Sequence, residues 1–208
     1  MEIIVLKFGG TSVGSTVSIS NAVNIIQEAS KEAFPVVVVS AMSGETNRLI
    51  DLARSFGPTP NKREFDALVS TGERVSASLV AIALNQLGLK AKSLSAAQFG
   101  MKTTSHFSRA KILDMNNDIL FQTIEEGYIP IITGFQGITA DGDTTTMGRG
   151  GSDTTAVAIA ASIKAKRCDI YTDVDGIYTT DPRIVPEAKK LDSISMEEML
   201  ELSGQGAK

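Results

Sequence analysis

Apolar and polar positions along the chain follow two rhythms. The aliphatic run at residues 3–6 reads as a buried strand, residues 36–39, 129–133 and 168–172 read as further strands, and weaker strand signals lie at 91–94 and 103–107. Between them Ile19, Ala22, Val23, Ile26 and Ala29 recur every three or four residues, which places them on one face of a helix. Val75, Leu79 and Ile82 mark a long amphipathic helix ending near Gly88, and residues 47–53 and 119–126 predict two more. Ala156, Ile159, Ala160 and Ile163 define a further helix, and Met196, Met199 and Leu200 a last one. Phe56-Gly57-Pro58-Thr59-Pro60 is the clearest break in the pattern. Strand–helix–strand alternation predicts an α/β fold with a mainly parallel open sheet covered on both faces, a three-layer sandwich. No repeat, low-complexity tract or shift in composition marks a linker, so one domain over residues 1–208 is expected. The last helical pattern is followed directly by Gly204-Gln205-Gly206-Ala207-Lys208 without a closing strand, so the domain is expected to be incomplete at its C-terminal end.

Composition narrows the function classes. With 42% hydrophobic residues the chain can offset its ordering entropy, which excludes disorder. A net charge of −4, from 20 basic and 24 acidic side chains, excludes a strongly basic nucleic-acid binder. The longest aliphatic run, Val36 to Val39, falls far short of the ~20 residues of a membrane span. The acidic start and Lys7 do not fit a signal peptide, and the single Cys168 cannot form an intrachain disulfide. A soluble cytoplasmic protein with neither nucleic-acid nor membrane partners is therefore expected.

Three turns could carry chemistry, since ligands of open α/β sheets bind at the carboxyl ends of strands. Lys7-Phe8-Gly9-Gly10-Thr11-Ser12-Val13-Gly14-Ser15-Thr16 has the glycine spacing of a P-loop, but Ser15 stands where that motif has its lysine. Backbone amides with Lys7 as a point charge would still suit phosphate, and a plain tight turn is the alternative. Gly148-Arg149-Gly150-Gly151-Ser152-Asp153 opens a helix, where free amides favour anions and Arg149 could grip a carboxylate. Its plainer reading is Ser152 or Asp153 as an N-cap. The segment from Thr172 to Arg183 contains two turn signals, Asp175-Gly176 and Asp181-Pro182, and reads by itself as a loop. Ser70-Thr71-Gly72-Glu73 matches a capping box, as does Ser195-x-x-Glu198. His106 has no second histidine with which to build a metal site, and Cys168 reads as strand filler.

Together, Lys7-Phe8-Gly9-Gly10-Thr11-Ser12-Val13, Ser70-Thr71-Gly72-Glu73-Arg74, Gly134-Phe135-Gln136-Gly137, the turn from Gly148 to Ala156 and the segment from Tyr171 to Arg183 occur in the order found in aspartate kinases. The chain resembles the catalytic, amino-acid-kinase part of that family over essentially its whole length. The resemblance implies transfer of the ATP γ-phosphoryl group to the side-chain carboxylate of L-aspartate, giving 4-phospho-L-aspartate, the first step toward lysine, threonine, methionine and diaminopimelate. It implies Lys7 and Asp153 as catalytic residues, with Lys7 stabilising charge and Asp153 ordering the centre. Ser40, Thr46, Glu73, Arg149 and Ser152 would bind aspartate, Arg149 at the α-carboxylate and Glu73 at the α-amino group. Gly9, Gly10, Thr172, Asp173, Tyr178, Arg183 and Lys208 would join Lys7 in binding ATP. Mg2+ is implied by the chemistry, although no carboxylate cage for a metal is visible. Aspartate kinases usually continue into paired regulatory ACT domains, which these residues lack, and a homo-oligomer or an assembly with ACT-containing chains is implied. The alternatives are another acyl-phosphate-forming amino acid kinase and a non-catalytic nucleotide-binding fragment. A free amino acid, with both α-groups charged, suits Arg149 and Glu73 better than an acetylated one.

Overall fold

The computed structural model describes residues 1–174 and 176–204. It divides into two units, Met1–Thr172 and Asp173–Lys208. In the first, β1 (Ile3–Phe8), β2 (Phe34–Val39), β3 (Ala91–Leu94), β6 (Ile129–Thr133) and β9 (Arg167–Tyr171) form a five-stranded sheet in the order β3-β6-β2-β1-β9. Every pairing in it is parallel. Successive side chains on a strand face opposite sides, so the two faces fill from alternate residues. Ile4, Leu6, Phe8, Val37 and Val39 pack on α1 (Thr16–Ala29) and α4 (Thr71–Gln86). Val5, Val36, Val38 and Ile132 pack on α6 (Asp118–Glu125) and α7 (Gly151–Ser162). This is the expected three-layer sandwich. Each core leucine, isoleucine or valine contributes about 1.5–3 kcal/mol by leaving water.

Four short strands form a second sheet, and the sequence signalled only one of them. These are β4 (Met101–Thr103), β5 (Ile112–Met115), β7 (Gln136–Ile138) and β8 (Thr144–Thr146), in the order β5-β4-β7-β8. Only β4–β7 is parallel there. The strand signal at 103–107 is corrected accordingly: β4 ends at Thr103, and the following residues form a loop that closes when Thr104 N–H donates to Lys111 O.

α2 (Glu45–Arg54) lies where a helix was expected, whereas α3 (Lys62–Val69) was not anticipated. Residues Lys62–Gln86 are long and apolar enough to cross a membrane by length and composition, but half of the apolar window is buried in the fold. The face of α4 read from the sequence is also corrected. Val75 and Ile82 are exposed, while Gly72, Glu73, Ser76, Ala77, Val80, Ala81 and Leu84 face inward. Small residues over much of the inner face let the helix approach the sheet closely, with Val80 and Leu84 packing into the core.

Within the second unit, Thr179 N–H donates to Lys189 O and Leu191 N–H to Ile177 O, bracketing a bridge between Tyr178 and Lys190. α8 (Met196–Gly204) begins with the capping box expected there: Glu198 N–H donates to Ser195 Oγ, and Ser195 N–H donates to the Glu198 carboxylate.

Candidate active site

Lys7 occupies the second-last position of β1, on the same face as Val5 and therefore toward α7. Its side chain is only 7% exposed, and its Nζ lies 2.6 Å from Oδ1 of Asp153 in the first turn of α7. A buried ammonium needs such a partner. Asp153 stays 46% exposed, leaving the pair open on one side. Neither Asp153 nor Ser152 caps α7, whose N-cap is Gly150 in a left-handed conformation without a side-chain bond.

The capping-box reading of Glu73 is overturned. The Ser70 hydroxyl donates back to Ala67 O, and α4 has no side-chain N-cap bond. Glu73 instead points inward, where its Oε1 accepts the Ala41 N–H at 3.1 Å. Gly72 makes this approach possible, because a Cβ there would stand 2.8 Å from Ala41 Cβ. Ser76 Oγ donates to Ser40 O at 2.6 Å, fixing the loop after β2 from the same helix. Glu73 Oε2 is buried without a hydrogen-bond partner among the described residues. Burial pushes the Glu73 carboxyl up to about 7, against the lowering effect of its backbone hydrogen bonds.

Opposite stands the turn before α7. Gly148 and Gly150 hold φ of 81° and 75°, which favours glycine and carries the exposed Arg149 between them. Among the described residues Arg149 has no carboxylate partner. The turn is braced from behind, where Met147 N–H donates to Phe135 O and Phe135 N–H to Thr155 Oγ1. Phe135 itself is held at φ 69°. A Cβ on Gly134 would come within 2.7 Å of Ser152, so backbone meets helix there without intervening side chains.

These groups line one cavity of about 340 Å³ at the carboxyl ends of β1 and β2. It brings together Lys7, Gly10, Ser40, Thr46, Glu73, Arg149, Ser152 and Asp153 from the expected set. Ala41, Met42, Ser43, Gly44, Phe135, Gly148, Gly150 and Gly151, none of them among the expected site residues, complete the wall. Spacing alone offered little signal for them, although Gly134-Phe135-Gln136-Gly137 and the turn from Gly148 were visible as motifs. Gly9 departs from expectation. Its amide donates to Tyr171 O at 2.9 Å, leaving Gly10 as the glycine that lines the cavity. Thr172 follows β9 beside Gly9. Asp173, Tyr178 and Arg183 belong to the second unit, where the Arg183 guanidinium grips Asp181 through Nε at 3.0 Å and a second nitrogen at 2.6 Å. Lys208 lies outside the described residues. His106 and Cys168 stand apart from this cavity.

Fold and site together define a three-layer α/β protein with a charged ligand cavity at the carboxyl edge of a parallel sheet. The chain belongs to the amino acid kinase family, whose sequence profile matches residues 2–208. It is 51% identical to aspartokinase 2 of Bacillus subtilis (strain 168) over 208 residues, all of this chain and 51% of the relative. The chain thus spans about half the length of the curated relatives it matches. Aspartate kinase from Synechocystis superimposes with a TM-score of 0.85 at 46% identity, covering 98% of this chain and 34% of that one. E. coli aspartokinase III in complex with aspartate and ADP gives a TM-score of 0.87 at 31% identity, covering 99% of this chain and 57% of that one.

Proposed function

We propose that this chain catalyses ATP-dependent phosphorylation of the side-chain carboxylate of L-aspartate, releasing ADP and 4-phospho-L-aspartate. The observation that carries the proposal is the pairing of two unmatched charges across one cavity, with Lys7 on the same wall. Among the described residues, Glu73 presents a buried carboxyl oxygen without a hydrogen-bond partner, and Arg149 a guanidinium without a carboxylate partner. A free amino acid satisfies both, its ammonium at Glu73 and its α-carboxylate in the planar fork of Arg149. An acetylated amino acid brings no ammonium to Glu73. The names of the relatives, and the aspartate and ADP bound to the E. coli protein, support the same substrate pair.

The reaction asks little covalent chemistry of the protein. The attacking carboxylate has a pKa near ~4 and is ionised at neutral pH, so no general base is required. One of its oxygens forms a bond to the γ-phosphorus while the bond to the β,γ-bridging oxygen breaks, leaving ADP. Ser40, Thr46 and Ser152 line the cavity where that carboxylate would be oriented. Lys7, fixed by Asp153, places positive charge where the transferring phosphoryl group gathers negative charge. No group of three or more His, Cys, Asp or Glu among the described residues could hold a metal. The site fits Mg2+ carried by the nucleotide, since magnesium is commonly held by one or two carboxylates plus phosphates, and Asp153 is the available carboxylate. When bound, the ion would neutralise phosphate charge.

On this reading the product feeds synthesis of lysine, threonine and methionine in the cytoplasm, and the whole protein works as an oligomer. A coupled assay of ADP release with aspartate, glutamate and acetylglutamate tests the proposal. Turnover with aspartate at least about 10-fold above either rival is expected, and preference for acetylglutamate would overturn it.

A further inference from the structure

A second cavity, of about 590 Å³, shares no lining residue with the proposed catalytic centre. Lys62 at the start of α3 lines it, together with Thr104, Ser105, His106, Phe107, Arg109 and Lys111. Its wall carries three cations and no carboxylate, in a chain whose net charge is −4. Lys62, Arg109 and Lys111 have no ion-pair partner among the described residues. Three acids on or beside α3 are engaged elsewhere. Asp143 and Glu64 both pair with Arg63, and Asp66 is fully buried beneath the loop. Like charges held around one cavity repel each other, a cost that a bound anion removes.

The loop is built rather than slack. Asp66 accepts the Ser108 N–H at 2.8 Å and the Ser108 hydroxyl at 2.9 Å. The same carboxylate accepts the Thr146 N–H at 2.7 Å and its hydroxyl at 3.0 Å. Ser108 is thereby held at φ 66°, a backbone region that non-glycine residues seldom adopt. Ala110 N–H adds a bond to Thr146 O, and Lys111 N–H one to Thr104 Oγ1. His106, Phe107 and Arg109 therefore stand on a fixed frame, with hydroxyl groups at Thr104 and Ser105.

We propose that this cavity is a binding site for a phosphate-bearing small anion. A phosphate monoester carries about −1.5 to −2 charge at neutral pH and three strong acceptor oxygens. That matches the three cations and the hydroxyl groups that line the cavity, and Phe107 offers an apolar surface to the rest of the ligand.

His106 is the single histidine of the chain, so its imidazole C2–H gives one NMR line inside the cavity. The 208-residue chain is titrated with inorganic pyrophosphate while that line is followed, with sodium chloride matched for ionic strength as control and citrate as a polycarboxylate comparison. A saturable displacement is expected with pyrophosphate and not with chloride. Apparent affinity should fall by about 10-fold or more in Arg109→Gln/Lys111→Gln, which removes two of the three charges. Lys62→Gln, on a separate element, should weaken it to a smaller degree. A displacement that never saturates, equals that of chloride or survives both variants would overturn the site. Binding of citrate as tight as that of pyrophosphate would overturn the assignment to phosphate. Because the line reports the second cavity directly, none of these outcomes depends on kinase turnover.

Discussion

The carboxyl group of Glu73 links the site to the stability of the fold. Its pKa rises from an ordinary 4.5 to about 7 because the group is buried. The native state therefore keeps this proton at pH values where the unfolded chain has lost it. Stability from this group is greatest below 4.5 and is lost as pH rises toward 7. Applying the linkage relation between pH 5 and pH 8 gives a loss of roughly 2.5 kcal/mol, with no discount for solvent because Glu73 is 3% exposed. Glu73→Gln removes the titration while preserving the acceptor for Ala41 N–H. The amide's own effect on stability is constant with pH, so the difference between the two proteins isolates the carboxyl group. Urea unfolding followed by far-ultraviolet circular dichroism at pH 5 and pH 8 measures it, a suitable probe for a chain without tryptophan. Relative to its parent, the Gln variant should gain roughly 2.5 kcal/mol between the two pH values. Parallel pH profiles would refute the reasoning and show that the carboxylate is solvated in solution. An ammonium ligand bound at Glu73 favours the ionised form, so saturating aspartate should flatten the parent's slope.

The other predictions concern charge and packing. Lys7→Ala should lower kcat by the equivalent of roughly 2.7–4 kcal/mol in single-turnover and steady-state assays, and a near-parental kcat would remove Lys7 from the chemistry. Arg149→Ala should raise KM for aspartate and leave that for ATP nearly unchanged. Arg149→Lys should recover only part of the loss, because an ammonium lacks the planar fork, and equal weakening of both substrates would place Arg149 on the nucleotide side. Asp66→Ala strips the acceptor from four donors on Ser108 and Thr146 and should cost at least about 3 kcal/mol in urea unfolding. A cost below about 1 kcal/mol would mean that water replaces the carboxylate.

What could be read in advance depended on how far each residue's role is local. The aliphatic runs on β1, β2 and β6 announce themselves because both faces of these strands are buried, whereas β9 is a half-exposed edge strand. By contrast, β7 and β8 are Gln-Gly-Ile and Thr-Thr-Thr, whose strand character comes from pairing with each other. Lys7 and Arg149 stood out beside glycines, where a charge next to a turn is conspicuous. Glu73 was misleading, since three-residue spacing from Ser70 fits a cap equally well and only the approach of Ala41 decides against it. The amide of Gly9 could not be assigned without knowing that the end of β9 returns beside β1. Asp66 gave no warning, because its four donors lie about 40 and 80 positions along the chain.

The placement of Lys7 also constrains how this molecule can move. Its backbone lies in register with Val38 on one side and Ile170 on the other, deep in the central sheet. Displacing its backbone would mean unzipping two ladders, an opening close to global unfolding rather than a functional fluctuation, and the ion pair with Asp153 restrains the ammonium. Lys7 is therefore the stationary landmark of the site. The segment after β2 is pinned as well, through Ser40, Ala41 and Ser43, so closure during a catalytic cycle falls to the exposed turn around Arg149. Amide hydrogen exchange should rank these regions accordingly, slowest at β1 and fastest at the turn around Arg149.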